Sequence, residues 1–204
     1  VAWQGASALY MKLASGSGRE EVLHREAWIP DDWLPDGRGL LVHPSAPRQV
    51  SLLPLGGARA EPQPVIDGRV ITTHARLSPD GDWVAFASND SGRFEVYIQN
   101  FPTPSGRWPI STNGGIQPKW RRDGKEIYYL SQDGTIAAVP LQLGALPEAG
   151  KPQMLFQSRL DLTTGFTWHQ YDVSPDGQRF LVNTPDTTTS RLTVVVNWTT
   201  GLNR

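Results

Sequence analysis

Three observations predict an all-β chain folded as a β-propeller of four-stranded antiparallel blades. The first is a repeat. The stretches "DWLPDGRGLLVHPS" (32–45), "ARLSPDGDWVAFAS" (75–88), "PKWRRDGKEIYYLS" (118–131) and "YDVSPDGQRFLVNT" (171–184) share one plan. Each has a large apolar residue, two residues, Asp-Gly, two more residues and an apolar run. The Asp-Gly pairs begin at 36, 80, 123 and 176, and a period of about 40–45 residues with several strands per unit is that of propeller blades. The second observation is composition: 20 Gly and 17 Pro in 204 residues suit many short strands and turns. The third is that no segment carries a sustained helical period with caps.

The elements follow in order. Residues 8–26 read as the third and outer strands of a partial blade, and residues 28–66 as a full blade. In the blade at 72–113, 74–78 is the inner strand, 79–81 the corner and 83–88 an alternating second strand. The turn "NDSGR" leads to a third strand at 94–101, and "PTPSG" leads to an outer strand at 108–112. The blade at 115–158 repeats this, with extra residues at 142–151, where an insertion between strands is cheap. The unit at 168–198 supplies inner, second and third strands only. About four to five blades result. Four arrangements stay open: a small closed ring with one blade shared by the two termini, part of a larger ring, half of a propeller completed by a second copy, or a fifth blade using "VAWQG".

Composition narrows the function. The hydrophobic fraction of 38% and charged fraction of 19% describe a folding chain. The net charge of −1 and lack of a long basic run argue against a nucleic-acid surface. With no cysteine, disulfides, thiolate metal sites and a Cys nucleophile are excluded. The apolar runs are too short to insert in a membrane as helices. No signal peptide opens the chain, and a first residue other than Met suggests either that something upstream was removed or that this is a piece of a longer protein. There is no G-x-S-x-G elbow and no H-E-x-x-H.

The Ser-Pro-Asp-Gly corners (78–81, 174–177), the stretch from "SNDSGRFEVYIQNF" to "TIAAVPL" and the ending "YDVSPDGQRFLVNT…LTVVVNWTTGL" resemble TolB-type propeller repeats. More narrowly they resemble the C-terminal propeller of bacterial receptor-like serine/threonine kinases. The resemblance covers 8–202. It implies a sensor or interaction module, periplasmic or otherwise extracytoplasmic, that binds a partner. No kinase motif is present, and no functional residue transfers, because the shared motif is structural.

Asp36, Asp80, Asp123 and Asp176 are expected to turn the chain, since Asp accepts backbone N–H bonds and Gly tolerates positive φ. Trp33, Leu77, Trp120 and Val173 share one repeat position and are expected in the core, with Trp83, Phe86, Tyr128 and Phe180. The informative positions open the inner strands. Pro30, His74, Gln117 and Gln170 occupy one place, and Asp32, Arg76, Lys119 and Asp172 the place two residues on. The repeat does not dictate these residues. With His169 they would ring the channel mouth. His74, Arg76, Gln117, Lys119, His169 and Gln170 are the candidate ligand-binding set, and Asp32, Asp172, His74 and His169 the candidate set for a divalent cation such as Ca²⁺. The plain alternative is a hydrated channel with satisfied polar groups.

Three functions are compatible. The first is a non-catalytic module binding a protein, peptide or small polar ligand at the channel mouth, with no cofactor. The second is a metal-dependent hydrolase of esters, lactones or phosphotriesters. The third is a half-propeller pairing with its own copy through open strand edges.

Overall fold

The four Asp-Gly corners turn the chain as expected. The Asp carboxylate accepts the backbone N–H two residues on: Arg38 to Asp36 at 2.9 Å, Asp82 to Asp80 at 3.2 Å, Lys125 to Asp123 at 3.1 Å and Gln178 to Asp176 at 3.0 Å. The following glycines sit at φ 72°, 80°, 71° and 71°, where a Cβ is unfavourable. At two corners the Ser hydroxyl adds a second tie. Ser78 donates to Asp80 at 2.5 Å and accepts from Trp83 N–H at 3.0 Å.

These corners set out five antiparallel sheets in a computed structural model that describes residues 1–5, 8–45, 49–56, 61–66, 69–160, 162, 169–184 and, by backbone, 191–196. The first sheet is β1 (Ala2–Gln4), β2 (Leu9–Met11) and β3 (Glu21–His24). The second is β4 (Trp28–Trp33), β5 (Gly39–Pro44), β6 (Val50–Pro54) and β7 (Gln63–Ile66), and the third β8 (Thr72–Leu77), β9 (Trp83–Ser88), β10 (Glu95–Asn100) and β11 (Arg107–Pro109). The fourth is β12 (Ile116–Trp120), β13 (Glu126–Leu130), β14 (Thr135–Gln142), β15 (Glu148–Ala149) and β16 (Gln153–Gln157). The fifth is β17 (Tyr171–Val173), β18 (Arg179–Thr184) and β19 (Arg191–Val196). No described residue is helical. This is the all-β propeller architecture of antiparallel blades that the repeat predicts.

The core lies between sheets rather than within one. Leu9, Trp28, Leu40 and Val42 fill the space between the first and second, and Leu41, Ile66, Ala75 and Phe86 that between the second and third. Trp83, Val96, Ile98, Ile127 and Tyr129 join the third to the fourth, and Tyr128, Leu130, Tyr171, Phe180 and Val182 the fourth to the fifth. Period-two alternation sorts each second strand between two cores. In β9, Trp83 and Ala85 face the fourth sheet while Val84 and Phe86 face the second. The strand is therefore buried throughout, which is why it reads as a continuous apolar run.

Three details depart from the sequence reading. The first sheet has three strands rather than the two read at 8–26, because Ala2–Gln4, within the "VAWQG" stretch that one of the open arrangements used, pairs with β2. The outer strand of the third sheet ends at Pro109, since the Ser111 hydroxyl then accepts from Val96 N–H at 2.8 Å and interrupts the ladder. The insertion near 142–151 carries β15, paired with the far end of β14.

Trp33 corrects the core assignment, being 37% exposed. Its repeat mate Leu77 is buried against the second sheet, and the Trp120 indole N–H donates to the Arg76 carbonyl of β8 at 2.9 Å. That position packs on the inner strand of the preceding sheet. Strand β4 instead packs on β1 and β2, as β12 packs on β9 and β10. Strands β1–β3 thus take the second to fourth places of a blade, and no described strand fills the innermost place beside Trp33.

Candidate functional site

Each full blade's inner strand is bulged a few residues before its corner. The register shifts between Pro30 and Asp32, between Thr73 and Arg76, and between Ile116 and Lys119. His74 and Gln117 sit in these bulges at φ 58° and 55°. A bulge re-aims the extra residue away from the ladder. The fold requires this backbone shape at both positions, but it does not require an imidazole at one and an amide at the other.

The structure divides the sequence-predicted ring into three parts. Gln117 and Gln170 tie the fourth sheet to the fifth: the Gln117 amide oxygen accepts from Gln170 N–H at 2.8 Å, and the Tyr171 hydroxyl donates to the Gln117 carbonyl at 2.8 Å. Both glutamines are buried. The charged positions form two ion pairs between inner strands of neighbouring sheets, Arg76 with Asp32 at 3.5 Å and Lys119 with Asp172 at 3.1 Å. Asp32 also accepts from Leu77 N–H at 2.9 Å, and Arg76 donates to the Asp31 carbonyl. Burial raises the pKa of Asp32 against the pull of Arg76. Burial lowers that of Lys119, reinforced by Arg76 and opposed by Asp172.

His74 and His169 do come together, as expected from their places in the repeat. Their rings lie 5.0 Å apart at 75°. Both His169 ring nitrogens are shielded from solvent and make no hydrogen bond among the described residues. Burial, then Arg76, then His74 push its pKa well below the ordinary 6.5, so the ring is neutral.

Sequence reasoning missed two residues of this site. His43 Nδ1 lies 2.7 Å from Asp31 Oδ2, both side chains buried. The carboxylate fixes the ring orientation. The available signal was a lone His inside the apolar run "GLLVHP" (39–44). A pocket of about 250 Å³ brings the parts together. Ala2, Trp3 and Gln4 form one side, Pro30 and Asp31 another, and His43, His74 and His169 complete it. Among the described residues, no three His, Asp or Glu side chains stand close enough to hold a metal ion. Asp32 and Asp172 are instead turned to Arg76 and Lys119.

No family model and no curated protein matches the sequence. Solved structures do match in fold. TolB from Acinetobacter baumannii superposes with a TM-score of 0.66 at 19% identity, over 93% of this chain and 46% of that one. A putative TolB from Agrobacterium tumefaciens gives 0.66 at 22% identity, over 87% and 62%. The Swd1 β-propeller domain of Myceliophteria thermophila gives 0.62 at 15% identity, over 96% and 65%. The chain thus spans between 46% and 65% of the length of these structures. The likeness is to the propeller fold, in a part of each.

Proposed function

We propose that this chain is a non-catalytic binding module that takes a protein, peptide or small polar ligand at the channel-end pocket. One observation carries the reading: side chains from the first, second and third sheets, with His169, line a single pocket at places where the repeat leaves residue type open. Concave sites with a few polar groups are where folds of this kind bind. The resemblance to kinase-linked propellers supports a sensor or interaction portion of a larger, extracytoplasmic bacterial protein. No described helix is long and apolar enough to cross a membrane.

The test is a thermal-shift screen of peptides and small polar compounds against the wild-type chain and His74→Asn. Asn tolerates the positive φ at this position, so the variant is expected to fold. A ligand of the pocket raises the midpoint of the wild type and not of the variant. Turnover of an ester or lactone that His74→Asn abolishes, in a folded protein, would overturn the non-catalytic reading.

A metal-dependent hydrolase is the second reading. Its support is the Asp31–His43 pair, an arrangement that orients metal-binding imidazoles. It requires ester or lactone turnover that a chelator removes and added Zn²⁺ or Ca²⁺ restores. Pairing of two copies through open strand edges is the third reading. A monomeric mass at micromolar concentration would count against it.

A further inference from the structure

We propose that Asn113–Gly114 is a self-modification site, whatever the channel-end pocket binds: the Gly114 nitrogen attacks the Asn113 side-chain carbonyl, and the Glu95 carboxylate holds this reaction back by keeping the Gly114 N–H engaged. The pair lies in the loop that links the third sheet to the fourth, and it is the sole Asn-Gly in the sequence.

The step needs no co-reactant but water. The Gly114 amide gives up its proton, its nitrogen bonds to Asn113 Cγ, and the Cγ–Nδ2 bond breaks. The proton leaves with that nitrogen as ammonia, and a five-membered succinimide remains. Water then opens the ring at either carbonyl, giving aspartate or isoaspartate at 113. Glycine favours the closure because no Cβ crowds the attacking nitrogen. Packing keeps a glycine there: Gly114 stands at φ 89°, and an added Cβ would meet Gln132 Cβ at 2.9 Å. Asn113 is exposed, and its side chain makes no hydrogen bond among the described residues. The Asp-Gly pairs are built differently. Asp36, Asp80, Asp123, Asp133 and Asp176 each have the carboxylate tied to a backbone N–H two residues on, and a carboxylate is a poorer electrophile than a carboxamide.

Side chains of the third sheet strap the loop down. The Gly114 N–H donates to both Glu95 oxygens at 3.0 Å, and the Ser111 hydroxyl donates to the same carboxylate at 2.5 Å. Arg93 Nε donates to Glu95 at 2.7 Å, and Arg93 Nη2 to the Thr112 carbonyl at 2.6 Å. The Glu95 side chain is 5% exposed, so water competes little for these bonds. A buried, charge-assisted hydrogen bond is among the stronger ones. It retains the proton that must leave and fixes the nitrogen that must move. The strap also gives the modification a consequence. Ring closure takes the Gly114 donor from Glu95, and the product sets a new carboxylate on a pocket of about 380 Å³ that already has Asp133 in its lining. Isoaspartate further lengthens the main chain between the two sheets.

The experiment ages the full chain, its Glu95→Gln variant and a synthetic peptide of residues 109–117, "PISTNGGIQ", side by side at neutral pH and physiological temperature. Peptide mapping by mass spectrometry reads deamidation at Asn113, and methylation by an isoaspartyl methyltransferase counts isoaspartate. The wild type is expected to react more slowly than the peptide, to a degree that follows the protection of its Gly114 amide from hydrogen exchange, because both processes need that N–H released. In Glu95→Gln a neutral oxygen replaces the carboxylate as acceptor, and deamidation of the folded variant is expected to run about tenfold faster than in the wild type. Should the variant not fold, wild-type deamidation compared with Gly114 exchange across low urea concentrations decides the matter by itself. A wild type that ages as fast as the peptide while its Gly114 amide stays protected overturns the proposal. So does a folded Glu95→Gln chain whose Gly114 amide exchanges faster but whose Asn113 deamidates no faster.

Discussion

Asp80 and His169 illustrate the two kinds of polar residue in this chain. Asp80 is one of four equivalent carboxylates, each bonded to the backbone two residues on. The repeat made that role legible from the sequence, because a group needed four times at one place serves the fold. The glycine after it is the more exacting partner. Gly81 stands at φ 80°, and an added Cβ would meet the Pro35 ring at 3.3 Å. Gly81→Ala is expected to destabilise the chain by about 1–2 kcal/mol, measured by urea unfolding, while Asp80→Asn leaves folding and ligand binding nearly intact. His169 behaves differently. Its folded pKa is depressed by burial, so the unfolded chain takes up a proton that the folded chain refuses. Stability should therefore fall as pH drops below the unfolded value of 6.5, toward the depressed folded value, and be unaffected by this group above it. His169→Leu is expected to flatten the melting temperature over that acid range. The missed pair, Asp31 and His43, shows what the repeat could not reveal. Neither recurs in the other units, and their contact arises from the pairing of β4 with β5.

Among the strands, legibility followed burial. Strands packed on both faces, such as β9 and β13, announced themselves as apolar runs beside a corner. Strand β1, three residues long and without a corner, was legible only as one of several alternatives for "VAWQG". Trp33 was misplaced for a related reason: its burial depends on a neighbouring strand rather than on its own sequence. Strand β18 separates the two situations within six residues. Phe180 is fully buried, with Tyr128 and Phe156 ring centroids at 5.1 and 5.3 Å. Leu181, on the opposite face, is 44% exposed. Phe180→Ala should cost about 3–5 kcal/mol, whereas Leu181→Ala should stay within about 0.5 kcal/mol. Denaturant midpoints of the two variants check this. Equal losses would mean that the outer face of the fifth sheet is covered in solution.

At the scale of the molecule, the four cores run in chain order, from the first sheet to the fifth. Among the described residues, no strand of the first sheet packs substantially on one of the fifth. The repeated corners and the inter-blade cores follow from the 44, 43 and 53-residue spacings and the alternation of the second strands, while the sequence left the number of blades at about four to five. The pocket does not, because it depends on side chains of β1, β4, β5 and β8 meeting His169, which no single unit encodes. One further consequence follows from cores joined end to end. Such an array frays like a zipper: separating a terminal sheet breaks one interface, whereas freeing a middle one breaks two. Amide exchange should therefore be slowest in β9 and β13 and fastest in β2 and β18.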